Sequence, residues 1–175
     1  MTAKRNLVLV GFMGTGKSRV GKSLAERLGM TFLDMDEVIV QRTGKPIPRI
    51  FAEDGEPHFR ELERNLVKEL SAQGGRVIAT GGGIVLNADN VGDFGRTGLV
   101  VCLSATPAAI LERVGGDTNR PLLAGGDKMK KIAELLTKRQ PLYAAIPHQV
   151  DTTRLTIEQV SDKIVSLYGP PKRGM

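Results

Sequence analysis

The chain of 175 residues is poor in aromatic side chains, cysteine and clustered positive charge. It has no Trp, two Tyr and one Cys, and no run of consecutive Lys or Arg is longer than two. A nucleic-acid-binding surface usually needs a dense basic stripe, often with aromatic side chains on which bases stack. The net charge of +6 therefore favours a solvated surface and the binding of small anions over the binding of nucleic acid.

Long apolar runs are also missing. No stretch approaches the length of about 18 apolar residues that a membrane-spanning helix requires, so we expect no membrane association. The N-terminal segment has a basic start and a short apolar run but no small-residue cleavage site, so we expect no signal peptide. The single cysteine, Cys102, cannot form an internal disulfide, which is typical of a protein of the reducing cytoplasm.

Short β-rich runs alternate with longer amphipathic ones along the whole chain. The runs NLVLV, TFLD, RVIAT, GLVVCLS and HQVDTT are typical of strands, and most of them are apolar throughout, as strands buried on both faces should be. This alternation predicts one α/β domain over residues 1–175, with a parallel sheet flanked by helices. The segment 115–126, with glycine pairs at both ends, predicts a mobile lid, and residues 169–175 predict a flexible tail.

The clearest motif is GFMGTGKS, from Gly11 to Ser18, which matches G-x-x-x-x-G-K-[ST]. It follows an apolar strand and precedes an amphipathic helix, which is the context that a phosphate-binding loop requires. Glycines let successive backbone N–H groups face inward around phosphate oxygens, and the helix start adds its positive dipole end. Lys17 is expected to reach the β- and γ-phosphates, and the Ser18 hydroxyl to bind Mg²⁺.

This loop indicates a nucleotide as phosphate donor but leaves the acceptor open. A GTPase would carry a guanine-reading Asn-Lys-x-Asp segment, whereas the fourth strand here leads into CLSATPAAI. A motor or transport ATPase would usually carry an apolar strand that ends in Asp, whereas RVIAT ends in GGG. Both observations favour a small-molecule kinase.

Two aspartates follow the second strand, in FLDMDEVI. Residues two apart on a strand point to the same side, so Asp34 and Asp36 could both project from the end where α/β sheets bind ligands. One carboxylate would then serve Mg²⁺ and the other would accept the proton of an acceptor hydroxyl. An equally good interpretation is that Asp36 only caps the following helix.

Taken together, the motifs resemble those of shikimate kinases. The resemblance rests on GFMGTGKS, FLDMDEVI, GKPIPRIFAEDGEPHFRELE, VIATGGGIV, RPLL and KRQPLY, in this order, and it spans the chain from about residue 6 to residue 150. It implies a three-layer α/β/α phosphate-loop fold like that of nucleoside monophosphate kinases, with a five-stranded parallel sheet and a mobile lid. It also implies ATP and shikimate as substrates, Mg²⁺ as cofactor, a cytoplasmic monomer, and transfer of the γ-phosphoryl group to the 3-hydroxyl of shikimate.

The resemblance also implies residue roles. Catalysis would fall to Lys17, Asp36 as base, and Arg120 as an arginine finger acting from the lid. Mg²⁺ would be held by Ser18 and Asp34. The nucleotide would be bound by Gly14, Thr15, Gly16, Lys17, Ser18, Arg19, Arg113 and Arg120. Shikimate would be bound by Asp36, Arg60, Gly81, Gly82, Gly83 and Arg139, with the two arginines holding its carboxylate through paired hydrogen bonds.

Some alternatives stay open at this point. Arg60 has Glu61 and Glu63 close by in sequence, so an exposed salt bridge on a helix competes with substrate binding, and Glu63 is expected to orient Arg60. Arg113 either stacks on adenine or favours the dipole at a helix C-terminus. Another small kinase, for gluconate or a nucleoside monophosphate, and a regulatory module that binds nucleotide without transfer are the competing functions.

Overall fold

The computed structural model describes residues 4–116 and 120–169. Its centre is a parallel five-stranded sheet in the order β2-β3-β1-β4-β5. The strands are β1 (Asn6–Gly11), β2 (Thr31–Asp34), β3 (Arg76–Ala79), β4 (Gly98–Ser104) and β5 (His148–Asp151). All five predicted strands are therefore present, and the α/β prediction is confirmed.

Eight α-helices lie within the described residues and connect or follow these strands. They are α1 (Lys17–Leu28), α2 (Met35–Thr43), α3 (Ile47–Glu53), α4 (Glu56–Ser71), α5 (Ala88–Thr97), α6 (Pro107–Val114), α7 (Lys128–Ala144) and α8 (Ile157–Tyr168). Two short 3₁₀ turns cover Ile84–Leu86 and Pro121–Leu123. Within the ranges described, no helix is both long and apolar enough to cross a membrane.

The sheet is covered on both faces, which gives the predicted three layers. Leu7 and Leu9 of β1 pack with α1 and α8, whereas Val8 and Val10 belong to a larger core formed with α2 to α7. Because side chains alternate across a strand, an apolar strand such as β1 supplies both cores at once. Its position in the middle of the sheet places the loop that follows it at the centre of the carboxyl edge, where ligands of such sheets bind.

The second strand ends at Asp34, as the run TFLD predicts, and α2 begins at the next residue. Asp34 is the N-cap of α2, and its Oδ1 accepts hydrogen bonds from the backbone N–H groups of Asp36 at 2.9 Å and Glu37 at 3.3 Å. The two aspartates are therefore not on one strand, because the Asp34 side chain starts the helix at Met35. The alternative that Asp36 caps this helix is therefore wrong, since the N-cap is Asp34 and Asp36 lies in the first turn.

The predicted lid and tail fall partly outside the described residues. Of the segment 115–126, residues 117–119 lie outside, and of the tail only Gly169 is described. The described part of the lid contains the 3₁₀ turn that begins directly after Arg120. Lys128 Nζ donates to the carbonyl of Gly115 at 2.6 Å, so α7 contacts the start of this segment.

Candidate active site

The phosphate loop joins β1 to α1. Gly14 and Gly16 have φ values of +75° and +98°, which side chains with a Cβ rarely adopt. A Cβ on Gly14 would also lie 2.7 Å from Cγ1 of Val114, so this position has no room for a side chain. The loop can therefore keep its curled path only with the glycines that the sequence provides.

Lys17 is the buried cation of this loop. Its Nζ donates to the carbonyls of Gly11 at 2.7 Å and Phe12 at 2.9 Å. Burial, followed by the positive charge of Arg120, lowers the pKa of Lys17 to about 8. Lys17 and Arg120 line the same cleft, and their positive charges repel each other. An anion bound between them would offset this repulsion.

Ser18, in the first turn of α1, contacts Asp34, the N-cap residue of α2. The Ser18 hydroxyl donates to Asp34 Oδ2 at 2.6 Å, while Oδ1 of the same carboxylate caps α2. A hydroxyl and a carboxylate oxygen are hard ligands of the kind Mg²⁺ prefers, and Mg²⁺ often takes only one or two protein ligands beside phosphate oxygens. Residues 4–116 and 120–169 contain no cluster of three His, Cys, Asp or Glu side chains able to hold a metal ion.

Asp36 lies in the first turn of α2, is half-buried and lines the cleft. Among the described residues its Oδ1 has no hydrogen-bond partner, although this atom is buried. Burial, followed by the negative charge of Asp34, raises the pKa of the Asp36 carboxyl above its ordinary value. A buried carboxylate oxygen without a partner is a candidate acceptor for a proton or for a substrate hydroxyl.

Arg60 pairs with two glutamates of its own helix. Its Nη1 donates to Glu63 at 2.6 Å and its Nη2 to Glu56 at 3.0 Å. The salt-bridge alternative is right about Glu63, but the second partner is Glu56 and not Glu61. The pair with Glu63 is not a surface feature, because the Glu63 side chain is only 1% exposed. Glu63 thus fixes the position of the Arg60 guanidinium from inside, as its predicted orienting role requires.

Charged side chains lie close to the three consecutive glycines that follow β3, Gly81 to Gly83. A Cβ on Gly81 would lie 3.0 Å from both Asp36 Oδ1 and Glu63 Oε2. A Cβ on Gly83 would lie 2.6 Å from Cζ of Arg60, and one on Gly82 would lie 3.6 Å from Nη1 of Arg139, its nearest contact being the Met13 amide at 3.2 Å. The backbone of these glycines therefore forms the floor of a pocket lined by the carboxylates of Asp36 and Glu63 and by the guanidinium groups of Arg60, Arg120 and Arg139.

Arg139 of α7 lines this pocket, and Tyr143 of the same helix supports its glycine floor. Arg139 is 4% exposed, and its guanidinium carbon lies 5.9 Å from the centre of the Phe12 ring. The Tyr143 hydroxyl donates to the carbonyl of Gly82 at 2.5 Å, and burial raises the pKa of Tyr143 to about 12. Tyr143 had no assigned role in the sequence, although its spacing of four from Arg139 places both side chains on one helix face.

Arg113 lies in the last turn of α6 and donates to two backbone carbonyls and one hydroxyl. Its Nη1 donates to the carbonyl of Gly14 at 3.0 Å and to the Thr152 hydroxyl at 3.1 Å, and its Nη2 donates to the Thr152 carbonyl at 3.1 Å. Arg113 and Thr152 both line the large cleft. Thr152 was missed by sequence reasoning, since nothing in DTT distinguishes it from its neighbour Thr153.

Two pockets meet at these residues. The larger is a cleft of about 1140 Å³ that contains the phosphate loop, Ser18, Arg19, Asp34 and Arg113. The smaller contains Arg60, Glu63, Gly83 and Arg139. Both are lined by Asp36, Ile47, Gly81, Gly82 and Arg120. All predicted site residues therefore line one or both pockets, and Asp36 and Arg120 stand where the two join.

Replacing Gly83 by Ala should disturb the smaller pocket with little effect on the fold. The new methyl group would meet the guanidinium of Arg60, whose flexible end can move away only by leaving its position beside the glycine floor. We expect the apparent affinity for an anionic acceptor to fall about tenfold, the cost of one charge-assisted hydrogen bond. Steady-state kinetics measures this, with Gly95→Ala as control because a Cβ there meets nothing within 4 Å. Equal kinetics for the two variants would contradict the assignment.

The chain matches known proteins along nearly its full length. The family model described as shikimate kinase matches residues 13–168. The shikimate kinase of Thermodesulfovibrio yellowstonii is 45% identical over 164 residues, which cover 94% of this chain and 95% of the relative. That of Geobacter sulfurreducens is 46% identical over 162 residues, covering 93% and 90%.

Solved structures agree with these relatives. The shikimate kinase of Acinetobacter baumannii, solved in complex with shikimate, has a TM-score of 0.90 at 39% identity, with 94% of this chain and 92% of that one covered. The enzyme of Aquifex aeolicus has a TM-score of 0.80 at 34% identity, with 93% and 95% covered. A gluconokinase of Sinorhizobium meliloti, at 16% identity and a TM-score of 0.59, shares the fold alone. The chain belongs to the shikimate kinase family.

Proposed function

We propose that this kinase transfers the γ-phosphoryl group of ATP to the 3-hydroxyl of shikimate, giving shikimate 3-phosphate and ADP in the chorismate pathway of aromatic amino-acid biosynthesis. The observation that carries the proposal is the junction of two pockets at Asp36 and Arg120. One pocket has the phosphate loop and the other has the guanidinium groups that an anionic ring requires. A cytoplasmic monomer is the state we expect for the enzyme.

The donor is held by the phosphate loop. Backbone N–H groups of Gly14, Thr15 and Gly16 bind the phosphate oxygens, and the N-terminus of α1 adds its positive dipole end. The ammonium of Lys17 turns from the carbonyls of Gly11 and Phe12 toward the β- and γ-phosphates. Arg19 and Arg113, which line the same cleft, bind the remainder of the nucleotide.

Ser18 and Asp34 fit Mg²⁺ and are the residues that would hold it. The hydroxyl and the carboxylate are already in contact, and both lie beside the loop that binds the phosphates. The ion would neutralise charge on the β- and γ-phosphates during transfer. Because Asp34 Oδ1 remains occupied by the cap of α2, only Oδ2 is available toward the ion.

The acceptor is held through its carboxylate. Arg60 and Arg139 face the glycine floor, where each guanidinium can form two parallel hydrogen bonds with a carboxylate. The N–H groups of Gly82 and Gly83 lie at the same floor and can approach the ring closely because no side chain intervenes. This arrangement selects a compact ring that carries one carboxylate and several hydroxyls.

Asp36 is placed to act as general base. As the 3-hydroxyl oxygen forms its bond to the γ-phosphorus, its proton passes to the Asp36 carboxylate, and the bond from that phosphorus to the β–γ bridging oxygen breaks. ADP leaves with the electron pair of the broken bond. Lys17 and Arg120 stabilise the charge that spreads over the transferring group, and such preorganised cations supply much of the catalysis in phosphoryl transfer.

An acceptor screen tests this proposal and separates it from its alternatives. Purified protein, ATP and Mg²⁺ should form ADP with shikimate but not with gluconate or nucleoside monophosphates. Turnover with gluconate or a nucleotide would replace shikimate as substrate, and nucleotide binding without turnover on any acceptor would identify a regulatory module.

The stability of the protein should depend on pH through Glu63. Burial raises the pKa of Glu63 to about 7 from its ordinary 4.5, so the folded chain retains a proton that the unfolded chain has lost between these values. The free energy of unfolding should therefore fall as the pH rises from about 4.5 to about 7, by roughly 3 kcal/mol at most. Urea unfolding at pH 5 and pH 8 measures this contribution.

The variant Glu63→Gln cannot ionise and should lose that part of the pH dependence. Glu61→Gln is the matched control, because Glu61 lies on the same helix and is exposed. An unchanged difference between pH 5 and pH 8 in Glu63→Gln would rule out Glu63 as the source.

A further inference from the structure

Thr152 lies at the meeting point of three parts of the nucleotide cleft. It follows β5 and is 4% exposed. Its backbone N–H donates to the carbonyl of Ser104 at the end of β4, at 2.8 Å. Its hydroxyl lies 3.0 Å from the carbonyl oxygens of both Thr15 and Ser104, and Arg113 donates to this hydroxyl.

The hydroxyl of Thr152 has one proton and must use it on one carbonyl. Because the Ser104 carbonyl already accepts the shorter bond from the Thr152 amide, we assign the proton to the Thr15 carbonyl. The oxygen of the same hydroxyl accepts from Arg113. Thr152 therefore connects the phosphate loop to the Arg113 guanidinium through a single buried group.

Two consecutive carbonyls of the loop are held in this way. Arg113 Nη1 donates to Gly14 at 3.0 Å, and Thr152 donates to Thr15 at 3.0 Å. In a planar trans peptide the C=O group and the N–H group of the next residue point in opposite directions. Holding these two carbonyls from one side directs the N–H groups of Thr15 and Gly16 to the opposite side, as a phosphate-binding loop requires.

We propose that Thr152 is a positioning residue that orients the phosphate-binding amides of the loop. It touches no phosphate itself, and it acts by fixing the peptide plane between Thr15 and Gly16. Amides that are already aligned do not reorganise when an anion binds, which is the condition under which they stabilise charge most effectively. The identity of the nucleotide as ATP rests on the proposed function, whereas the role of Thr152 rests on its contacts with the loop.

Thr152→Val tests the proposal, because valine keeps the shape of threonine and removes the hydroxyl. Binding is measured by displacement of a fluorescent ADP analogue in the presence of Mg²⁺, with inorganic tripolyphosphate and adenosine as separate competitors. We expect the Kd of tripolyphosphate to rise about tenfold, equivalent to about 1.4 kcal/mol, while that of adenosine changes less than about twofold. The Kd of shikimate, measured by calorimetry, should change as little.

Thr152→Ser restores the hydroxyl and should recover most of the lost tripolyphosphate affinity. Thr137→Val is the matched control, because the Thr137 hydroxyl donates to the Ala133 carbonyl at 2.8 Å on an exposed face of α7 and lines neither pocket. If Thr152→Val does not fold, as thermal unfolding would report, Thr152→Ala is compared with Thr152→Ser in the same assay.

Three results would overturn the proposal. Unchanged tripolyphosphate affinity would mean that the hydroxyl does not orient the amides. Equal losses for tripolyphosphate and adenosine would mean that Thr152 supports the whole cleft, and failure of Thr152→Ser to recover affinity would mean that the hydroxyl is not the active group. None of these measurements needs phosphoryl transfer, so a failure of the shikimate assay leaves them interpretable.

Discussion

Replacing Asp36 by Asn should lower kcat about 10²- to 10⁴-fold while ATP affinity changes less than about twofold. Asparagine has the same shape but cannot take the proton of the acceptor hydroxyl. The buried Oδ1 of Asp36 lies 3.0 Å from where a Cβ on Gly81 would stand, in the wall shared by the two pockets, so loss of the carboxylate charge there affects the acceptor directly. Single-turnover kinetics measures the chemical step, and calorimetry measures nucleotide binding.

Asp89→Asn is the matched control for this variant. Asp89 lies in the first turn of α5, and its backbone N–H donates to the cap residue Asn87, as that of Asp36 donates to Asp34. It lines neither pocket. We expect full activity from Asp89→Asn. Near-normal turnover by Asp36→Asn would remove Asp36 from the role of base.

Replacing Arg139 by Lys should weaken shikimate binding about 10- to 100-fold, the loss expected when a buried bidentate pair becomes a single contact. The guanidinium of Arg139 is buried against Phe12 and faces Gly82. Lysine keeps the charge but not the planar fork that matches a carboxylate. The expected result is a higher KM for shikimate with little change in the Kd of ATP, measured by steady-state kinetics and calorimetry.

Arg42→Lys is a suitable control, because it also removes a guanidinium that contacts a carboxylate through two nitrogens. Arg42 donates to Glu69 at 2.8 Å and 2.7 Å on the exposed surface, outside both pockets. Exposed pairs of this kind contribute little to stability. A loss of ATP and shikimate binding to the same extent in Arg139→Lys would indicate a folding defect instead of a lost substrate contact.

Features that depend on a local sequence pattern could be predicted from the sequence. The phosphate loop could be recognised because its glycines, Lys17 and Ser18 have fixed spacing between an apolar strand and a helix. The strands β1, β3 and β4 could be recognised because they are buried and mostly apolar. The edge strands β2 and β5 are less buried and carry weaker apolar runs. Arg60 and Arg139 could be named only through the resemblance, since charged residues on amphipathic helices are usually solvated.

Contacts that depend on tertiary packing were not predictable. The short helices α3 and α5 were not predicted, and α5 contains Gly92 and Gly95, which lower helix propensity. The interpretation that Asp34 and Asp36 share one strand was wrong, because the Asp34 side chain caps α2 and the helix begins at Met35. Tyr143 and Thr152 use their hydroxyls on carbonyls that are 61 and 137 residues away, and no local pattern indicates such partners.

A crystal structure with ADP, Mg²⁺ and shikimate would show whether the phosphate-binding loop faces an anionic-ring pocket across Asp36. We expect the shikimate carboxylate within hydrogen-bonding distance of both Arg60 and Arg139. We also expect the 3-hydroxyl oxygen about 3 Å from the Asp36 carboxylate, on the side of the ADP β-phosphate. Shikimate bound elsewhere, or bound with its carboxylate toward Asp36, would rule out this arrangement.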